Sequence, residues 1–542
     1  MQLFDALTNS ASRGVLHEWT GDEFTHTPWR DVVKDAHKMA TELRRLGVTP
    51  GARVATILTN TPDTVRGLLA VWLAGGAVAS LPLPTRGQSS EEYTGQLTAL
   101  AARLDPSLVV ADEWLTPLVP EKLSRHIPVR SWAALHGSGS GRFEASPPGP
   151  DDVAFIQYSS GSTSTPKGCA LTTRSIETQM EIILHLTGGR PGADTFASWL
   201  PLSHDMGMFG ALLYPWAYDF DLVLSTPERF GMAPRSWFRD MSEYGATITT
   251  ATSTAVYLAA RAQGRADLPK PLQLRSAVVG AERIGWDVLV AAAEKFRQYG
   301  LAETAFQPAY GMAEATLAIT AKPWAQKARS LAFDGAALLD GSVVEVAPDQ
   351  PGAAILVSNG PALPGIEVAA GPAGTVEEIR VNSPSLAQGY YGDPERTAAR
   401  FRDGWFRTGD FGFVHDDELF VMGRADDMLS VGGRKVYASE IEAAIDSLPA
   451  VRKGCAALID AGSGTNRFVL ILEPKGVPKD FAPIADEAAE LALKKAGLPL
   501  TECLFVRRGV LPKTPSGKLQ RFRCRALLAE DRLDPMARVA YA

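Results

Sequence analysis

The sequence predicts an α/β fold with a large N-terminal domain and a smaller C-terminal one. Two observations carry that reading. Helical and strand periodicities alternate along the first three hundred residues, and the pattern changes around Gly423-Arg-Ala-Asp-Asp427, leaving a shorter α/β segment of roughly 115 residues. The first element is a helix over 33–46, with Val33, Ala36, Leu43 and Leu46 at helical spacing and Gly47 as its stop. A strand over 54–58, a helix over 64–73 and a strand over 78–83 then make a parallel βαβ crossover. The same alternation returns as a strand over 274–279 and a helix over 287–296. Residues 360–422 are short apolar runs punctuated by Gly and Pro, a strand-and-turn region.

Composition narrows the function classes. The chain has 542 residues, 45% of them hydrophobic, and a formal net charge of −7. A dedicated nucleic-acid binder is usually basic, so no nucleic-acid partner is expected. Residues 67–85 carry no charge, but the Gly75-Gly76 pair and Pro82 and Pro84 make them a buried helix running into a buried strand; no membrane span is expected. Met1-Gln-Leu-Phe-Asp5 lacks the basic region of a signal peptide. Cys169, Cys455, Cys503 and Cys524 are widely spaced and form no zinc or disulfide pattern, which fits a cytoplasmic protein. His136-Gly-Ser-Gly-Ser-Gly-Arg142 reads as a plain surface connection.

The most informative segment is Tyr158-Ser-Ser-Gly-Ser-Thr-Ser-Thr-Pro-Lys-Gly168, directly after a strand over 153–156. Ser159, Ser160, Ser162, Thr163 and Thr165 surround Gly161, and Lys167 adds a positive charge. Small residues let backbone N–H groups face an anion, and hydroxyls add donors. It is not a P-loop, because Pro166 precedes the lysine and Gly168 follows it, where that motif needs the Ser or Thr whose hydroxyl binds magnesium.

The order of these residues resembles the signature loop of the adenylate-forming superfamily: acyl- and aryl-CoA synthetases, peptide-synthetase adenylation domains, luciferases and fatty acyl-AMP ligases. Further segments resemble that family in the same order. Trp199-Leu-Pro-Leu-Ser-His-Asp-Met-Gly207 is similar to its acid-pocket segment, with His204 toward the carboxylate. Val279-Gly-Ala-Glu-Arg-Ile284 is similar to its adenine segment, through Gly280, Ala281 and Glu282. Ala309-Tyr-Gly-Met-Ala-Glu-Ala-Thr-Leu317 carries its most specific motif. There the resemblance implies Tyr310, Gly311 and Met312 at the nucleotide, Glu314 on Mg²⁺ and Thr316 on the α-phosphate. Trp405-Phe-Arg-Thr-Gly-Asp410 resembles the ribose segment, with Asp410 on the hydroxyls and Arg424 nearby. Asp426 matches the hinge. Leu511-Pro-Lys-Thr-Pro-Ser-Gly-Lys518 resembles the C-terminal catalytic loop, with Lys518 on the carboxylate and α-phosphate. From 507 to 525 there are seven basic residues and no acidic one, a surface suited to anions.

The resemblance covers 33–527 and implies two α/β subdomains plus a β-barrel-like subdomain in residues 1–424, and a small mobile domain in 425–542. It implies ATP and Mg²⁺ as the nucleotide and metal, and a carboxylic acid as substrate. Within the family, 327–359 looks like an extra segment found after the Tyr-Gly-Met-Ala-Glu motif of fatty acyl-AMP ligases. In that branch the acyl group goes to a separate acyl carrier protein rather than to CoA, in fatty acid metabolism or natural product biosynthesis. The chain ends 24 residues after Lys518, which leaves no room for a carrier domain. Some positions depart from the pattern: Ser164 and Glu377 stand where the family usually has Gly. Val431-Gly-Gly-Arg-Lys-Val-Tyr-Ala-Ser-Glu440 looks closer to CoA ligases, which keeps CoA as the alternative acceptor. A catalytically idle nucleotide-binding protein is a third reading. It would have no chemical need for Glu314, Asp410 and Lys518 together.

Overall fold

A computed structural model describes all residues except 85–87, 121–123, 137–143, 159–165, 265–266, 432–433, 463–466, 515–516 and 542, and the side chains of 434 and 435. The 136–142 connection therefore lies almost wholly outside the described residues. The expected βαβ unit is present. Strand Arg53–Ile57 pairs in parallel with Ala77–Leu81, and helix Pro62–Leu73 crosses between them. Thr61 caps that helix by accepting from the Thr64 N–H, and Pro62 takes the first helical position, where no backbone donor is missed. The uncharged stretch of 67–85 is interior: the helix buries every residue from Thr64 to Leu73, and the strand is buried along its whole length. No helix among the described residues is long and apolar enough to cross a membrane.

Two sheets dominate the N-terminal part. The first runs Val129–Ser131, Leu108–Ala111, Arg53–Ile57, Ala77–Leu81, Val153–Tyr158, Gly168–Thr172, parallel except for the last pair. The second has eight strands, in the order Ala318–Ala321, Phe306–Gly311, Ser276–Val279, Ile248–Ala251, Thr195–Ser198, Asp221–Leu224, Val15–Trp19, Phe24–Pro28. Its interior pairs are parallel and its two edges antiparallel. One apolar core joins the two sheets, including Trp29, Trp72, Trp132 and Phe155. Such parallel strands are buried on both faces, which is why they read as continuous Val/Ala/Leu runs rather than alternating ones.

The strand-and-turn region of 360–422 forms a five-stranded antiparallel sheet built from Glu367–Ala369, Glu377–Asn382, Phe401–Arg402, Trp405–His415 and Glu418–Arg424. The extra segment of 327–359 folds as an antiparallel pair, Ser330–Asp334 with Ala353–Val357, and a short helix, Gly335–Leu339. Phe333 from this pair packs with Phe413 and Phe420 of the five-stranded sheet, and with Tyr437 from beyond it. After a turn at Ala425–Asp427 come a two-stranded ribbon and a four-stranded sheet, Val451–Asp460, Phe468–Pro474, Glu502–Phe505 and Ala537–Ala540, with their own apolar core.

Trp29 is fully buried, stacks on Trp216 at 4.7 Å and donates from its indole to the Phe220 carbonyl at 2.9 Å. Trp29→Ala should therefore cost about 3–5 kcal/mol of stability, read as a fall in the urea midpoint; an unchanged midpoint would contradict this packing.

Candidate active site

The parallel strands of the eight-stranded sheet end on one edge, and the segments predicted to carry the chemistry follow them there. Strand Thr195–Ser198 leads into Trp199 and His204, strand Ser276–Val279 into Gly280, and strand Phe306–Gly311 into Glu314. Open parallel sheets bind ligands beyond the carboxyl ends of their strands.

The turn carrying His204 is closed by its own backbone. His204 N–H donates to the Pro201 carbonyl at 3.1 Å. A Cβ on Gly207 would lie 2.1 Å from that same oxygen, so only glycine fits. A π-helix over Met206–Leu213 follows; this rare form is found mostly at functional sites. His204 Nδ1 lies 2.5 Å from an Asp205 carboxylate oxygen, and its Nε2 lies 3.3 Å from the Lys518 ammonium. A lysine ammonium only donates, so the tautomer that serves this contact has Nε2 accepting and Nδ1 donating to Asp205. Burial opposes ionisation of Asp205, yet His204 and Lys518 together hold its carboxyl below the usual range. Burial lowers the Lys518 ammonium, against the pull of Asp205 and Glu282. The Lys518 loop is braced locally, with Lys518 N–H donating to the Thr514 hydroxyl at 3.0 Å and Thr514 N–H to the Lys518 carbonyl at 2.8 Å.

A second group forms a wall beside this contact. Tyr310 donates its hydroxyl to Asp410 at 2.7 Å. Asp410 and Arg424 are register partners on adjacent strands, 3.3 Å apart. Burial raises the Asp410 carboxyl, while Arg424 and Tyr310 favour its ionised form. Arg424 Nε is the atom that faces Asp410; it is buried, and among the described residues it makes this ion pair without a hydrogen bond. Gly280 lies so close to the Ala309 carbonyl that a Cβ would come within 2.9 Å, and Ala281 sits at φ +67°. Glu282 turns away from this wall: its carboxylate accepts from the Thr254 N–H at 2.5 Å, in the first turn of helix Ser253–Gln263. Gly311 packs against the Leu317 carbonyl, which accepts from the Met312 N–H at 2.8 Å.

Glu314 forms the third group. Its carboxylate accepts from the Tyr390 hydroxyl at 2.8 Å, and the Lys167 ammonium stands 5.7 Å from the centre of the Tyr390 ring. Burial lowers the Lys167 ammonium, and Arg424, Arg400 and Arg396 are close enough to push it the same way, while Glu314 opposes them. Several cations around one carboxylate suit a polyphosphate with a divalent ion. Ser160, Gly161, Ser162, Thr163 and Thr165 lie outside the described residues. Thr316 is fully buried and donates its hydroxyl to the Ser385 carbonyl at 2.8 Å. It sits at φ +67°, ψ −54°, with Leu317 N–H donating to the Ala315 carbonyl across it, a strained γ-turn for a β-branched residue. Asp426 is exposed in the turn Ala425–Asp427.

Sequence reasoning missed Asp205 and Tyr390. Asp205 stands beside His204 in the quoted motif; Tyr390 is signalled only by an aromatic pair between glycines, Gly389-Tyr-Tyr-Gly392. The basic run of 507–525 is partly neutralised: Arg521 pairs with Asp427 and Glu442, Arg523 with Glu92, and Arg507 with Asp534.

Comparison with known proteins agrees with this geometry. The profile of a family described as AMP-binding enzyme matches residues 6–391. The chain is 31% identical to the Mycobacterium tuberculosis protein named as fatty-acid–CoA ligase fadD25, over 95% of this chain and 93% of that one. It is 33% identical to the medium-chain-fatty-acid–[acyl-carrier-protein] ligase JamA of Moorena producens, over 71% of this chain and 69% of that one. A structure from a study of fatty acyl-adenylate ligases of E. coli and L. pneumophila superposes with a TM-score of 0.89 at 26% identity, covering 98% of both chains. The chain belongs to the AMP-binding enzyme family and is an adenylate-forming ligase of the fatty-acid-activating kind, with ATP as its nucleotide.

Asp205→Asn should lower acid activation about ten- to hundred-fold, the usual effect of removing a group that orients a site histidine. Pyrophosphate release in a coupled assay measures this, and a wild-type rate would show that His204 needs no such partner.

Proposed function

We propose that this protein joins a fatty acid to AMP and then passes the acyl group to the phosphopantetheine thiol of an acyl carrier protein, in the cytoplasm. In the first step a carboxylate oxygen forms a bond to the α-phosphorus of ATP and the bond to pyrophosphate breaks. In the second, the thiol sulfur bonds to the acyl carbon, AMP leaves and the thiol proton is released. A free carboxylate cannot expel oxide, which is why the adenylate must precede the thioester.

The observation that carries the reading is the meeting of Lys518 with His204 beside the Tyr310–Asp410–Arg424 wall. Tyr310 is suited to stack on adenine and Asp410 to accept from the ribose hydroxyls. Lys167 would meet phosphate oxygens, together with the hydroxyls that the sequence supplies over 159–165, and Arg424 would lie near the ribose. Glu314 would hold Mg²⁺, which supplies charge neutralisation to the phosphates when bound. Lys518 bridges the two anions that must approach each other, while His204 receives the carboxylate. Preorganised positive charge at such a point is the main source of rate in displacements that need no protein nucleophile. Gly280, Ala281, Gly311 and Met312 supply close backbone at the base, and Thr316 supplies its strained backbone at the phosphate end. Glu282 contributes by fixing the start of helix Ser253–Gln263.

The second step needs Lys518 withdrawn, so residues 425–542 are taken as a unit turning about Asp426. The extra segment of 327–359 supports the carrier-protein acceptor. Leu339 at its helix end packs against the core of the small domain, and Phe333 shares a cluster with Tyr437. A segment held against residues 425–542 in this way would hinder the reaction with a free CoA. CoA is the second reading, favoured by the CoA-ligase-like run of 431–440.

Two measurements test this. Lys518→Ala should lower acyl-AMP formation about 10²–10³-fold, as for loss of a central electrostatic contact, while thiol transfer from supplied acyl-adenylate persists; unchanged acyl-AMP formation would remove Lys518 from the step. Incubation with ATP, Mg²⁺, CoA and a panel of fatty and aromatic acids, read by mass spectrometry, should accumulate acyl-AMP without acyl-CoA. Rapid acyl-CoA formation would make CoA the acceptor.

A further inference from the structure

The Lys518 loop does not reach the site unaided. Helix Arg521–Ala529 begins three residues after Lys518 and is tied back to the loop, with Gln520 N–H donating to the Pro512 carbonyl at 3.0 Å. Arg521, at the start of that helix, pairs with Asp427 and Glu442, which links helix and loop to the end of the turn at Ala425–Asp427. The next arginine on that helix, Arg523, crosses to the large domain and meets Glu92 at 2.8 Å. Arg532, just beyond the helix, meets the other oxygen of the same carboxylate at 2.8 Å. The two contacts span 431 and 440 residues of sequence.

Glu92 is itself fixed. It is the third residue of helix Ser90–Leu104 and accepts from the Ser89 N–H at 3.2 Å, while Ser89 accepts from the Glu92 N–H at 3.1 Å, a complete capping box. The two arginines therefore close on an anchored anion, with little side-chain freedom left to lose. Arg532, the Ser89 N–H and Arg523 together hold the Glu92 carboxyl below its ordinary range, against the effect of burial.

Resting on the adenylation reading above, we propose that Glu92 is a positioning residue for Lys518: it clasps the small domain in the orientation that seats the lysine at His204. A buried lysine beside Arg424 disfavours this orientation, since both desolvation and the like charge act against the ammonium. A pair of charge-assisted contacts at the rim offsets that cost without entering the site. Other contacts also join residues 425–542 to the large domain: Lys453 meets Asp287 at 3.2 Å and lies over the Tyr257 ring at 4.7 Å. The clasp is half-exposed, so salt weakens it. It has no role in the thiol step, for which Lys518 must leave.

Glu92→Gln is the discriminating variant, because Gln at this position still closes a capping box and only the charge is lost. Acid-dependent exchange of labelled pyrophosphate into ATP should fall about three- to ten-fold at low salt. The gap from wild type should narrow in about 0.5 M salt. Transfer from supplied acyl-adenylate to the thiol should hold its wild-type rate. Arg523→Gln with Arg532→Gln should reproduce the loss and add nothing to Glu92→Gln. Exchange that survives all these variants, or equal loss in both half-reactions, would overturn the clasp alone. Absence of exchange by the wild-type protein would instead overturn the adenylation reading on which it rests.

Discussion

A lysine ammonium enclosed between two domains and facing a histidine is unfavourable unless negative charge is arranged around it. Here Asp205 stands behind His204 and Glu282 lies close enough to favour the charged lysine. Neither carboxylate competes as a direct partner, because Asp205 faces the imidazole and Glu282 is spent on a helix terminus. Among the described residues Lys518 thus keeps an incomplete set of partners, the condition for an anionic substrate to bind there more strongly than water does. Arg424 is a second buried cation, its Nε held in an ion pair with Asp410. Both cations are held at a cost that the remaining structure offsets.

The framework that holds them is backbone more than side chain. Parallel strands bring 199–207, 280–282 and 310–316 to one edge, and close backbone contacts at Gly207, Gly280 and Gly311 leave no space for side chains. Thr316 and Ala281 both sit at positive φ, which L-residues with a Cβ rarely adopt. Strain of this kind persists only where surrounding contacts over-determine it, and Thr316 shows how: its hydroxyl is bonded to Ser385 and its neighbours close a γ-turn around it.

Much of this was legible in the sequence because it is local. The βαβ crossover over 53–81 follows from apolar periodicity, and the motif segments resemble one family in order. What was not legible depends on long-range approach. Glu92 reads as an ordinary acidic residue in a helix's first turn until Arg523, 431 residues on, is placed against it. Tyr390 gains meaning only from its contact with Glu314, 76 residues earlier. Glu282 sits inside a segment that resembles an adenine-binding one, yet its carboxylate serves the terminus of helix Ser253–Gln263; adjacency in a motif does not fix side-chain direction. The basic run of 507–525 reads as an anion surface, whereas folding brings Asp427 and Glu442 to Arg521 and Glu92 to Arg523.

The central claim is that a carboxylate oxygen of the acid bonds directly to the α-phosphorus under Lys518. It is tested by following that oxygen. An acid labelled with ¹⁸O in its carboxyl group, turned over with ATP and an acceptor thiol, should yield AMP carrying one labelled phosphate oxygen and pyrophosphate carrying none. Label in pyrophosphate or inorganic phosphate, or unlabelled AMP from a protein that still makes thioester, would contradict the account.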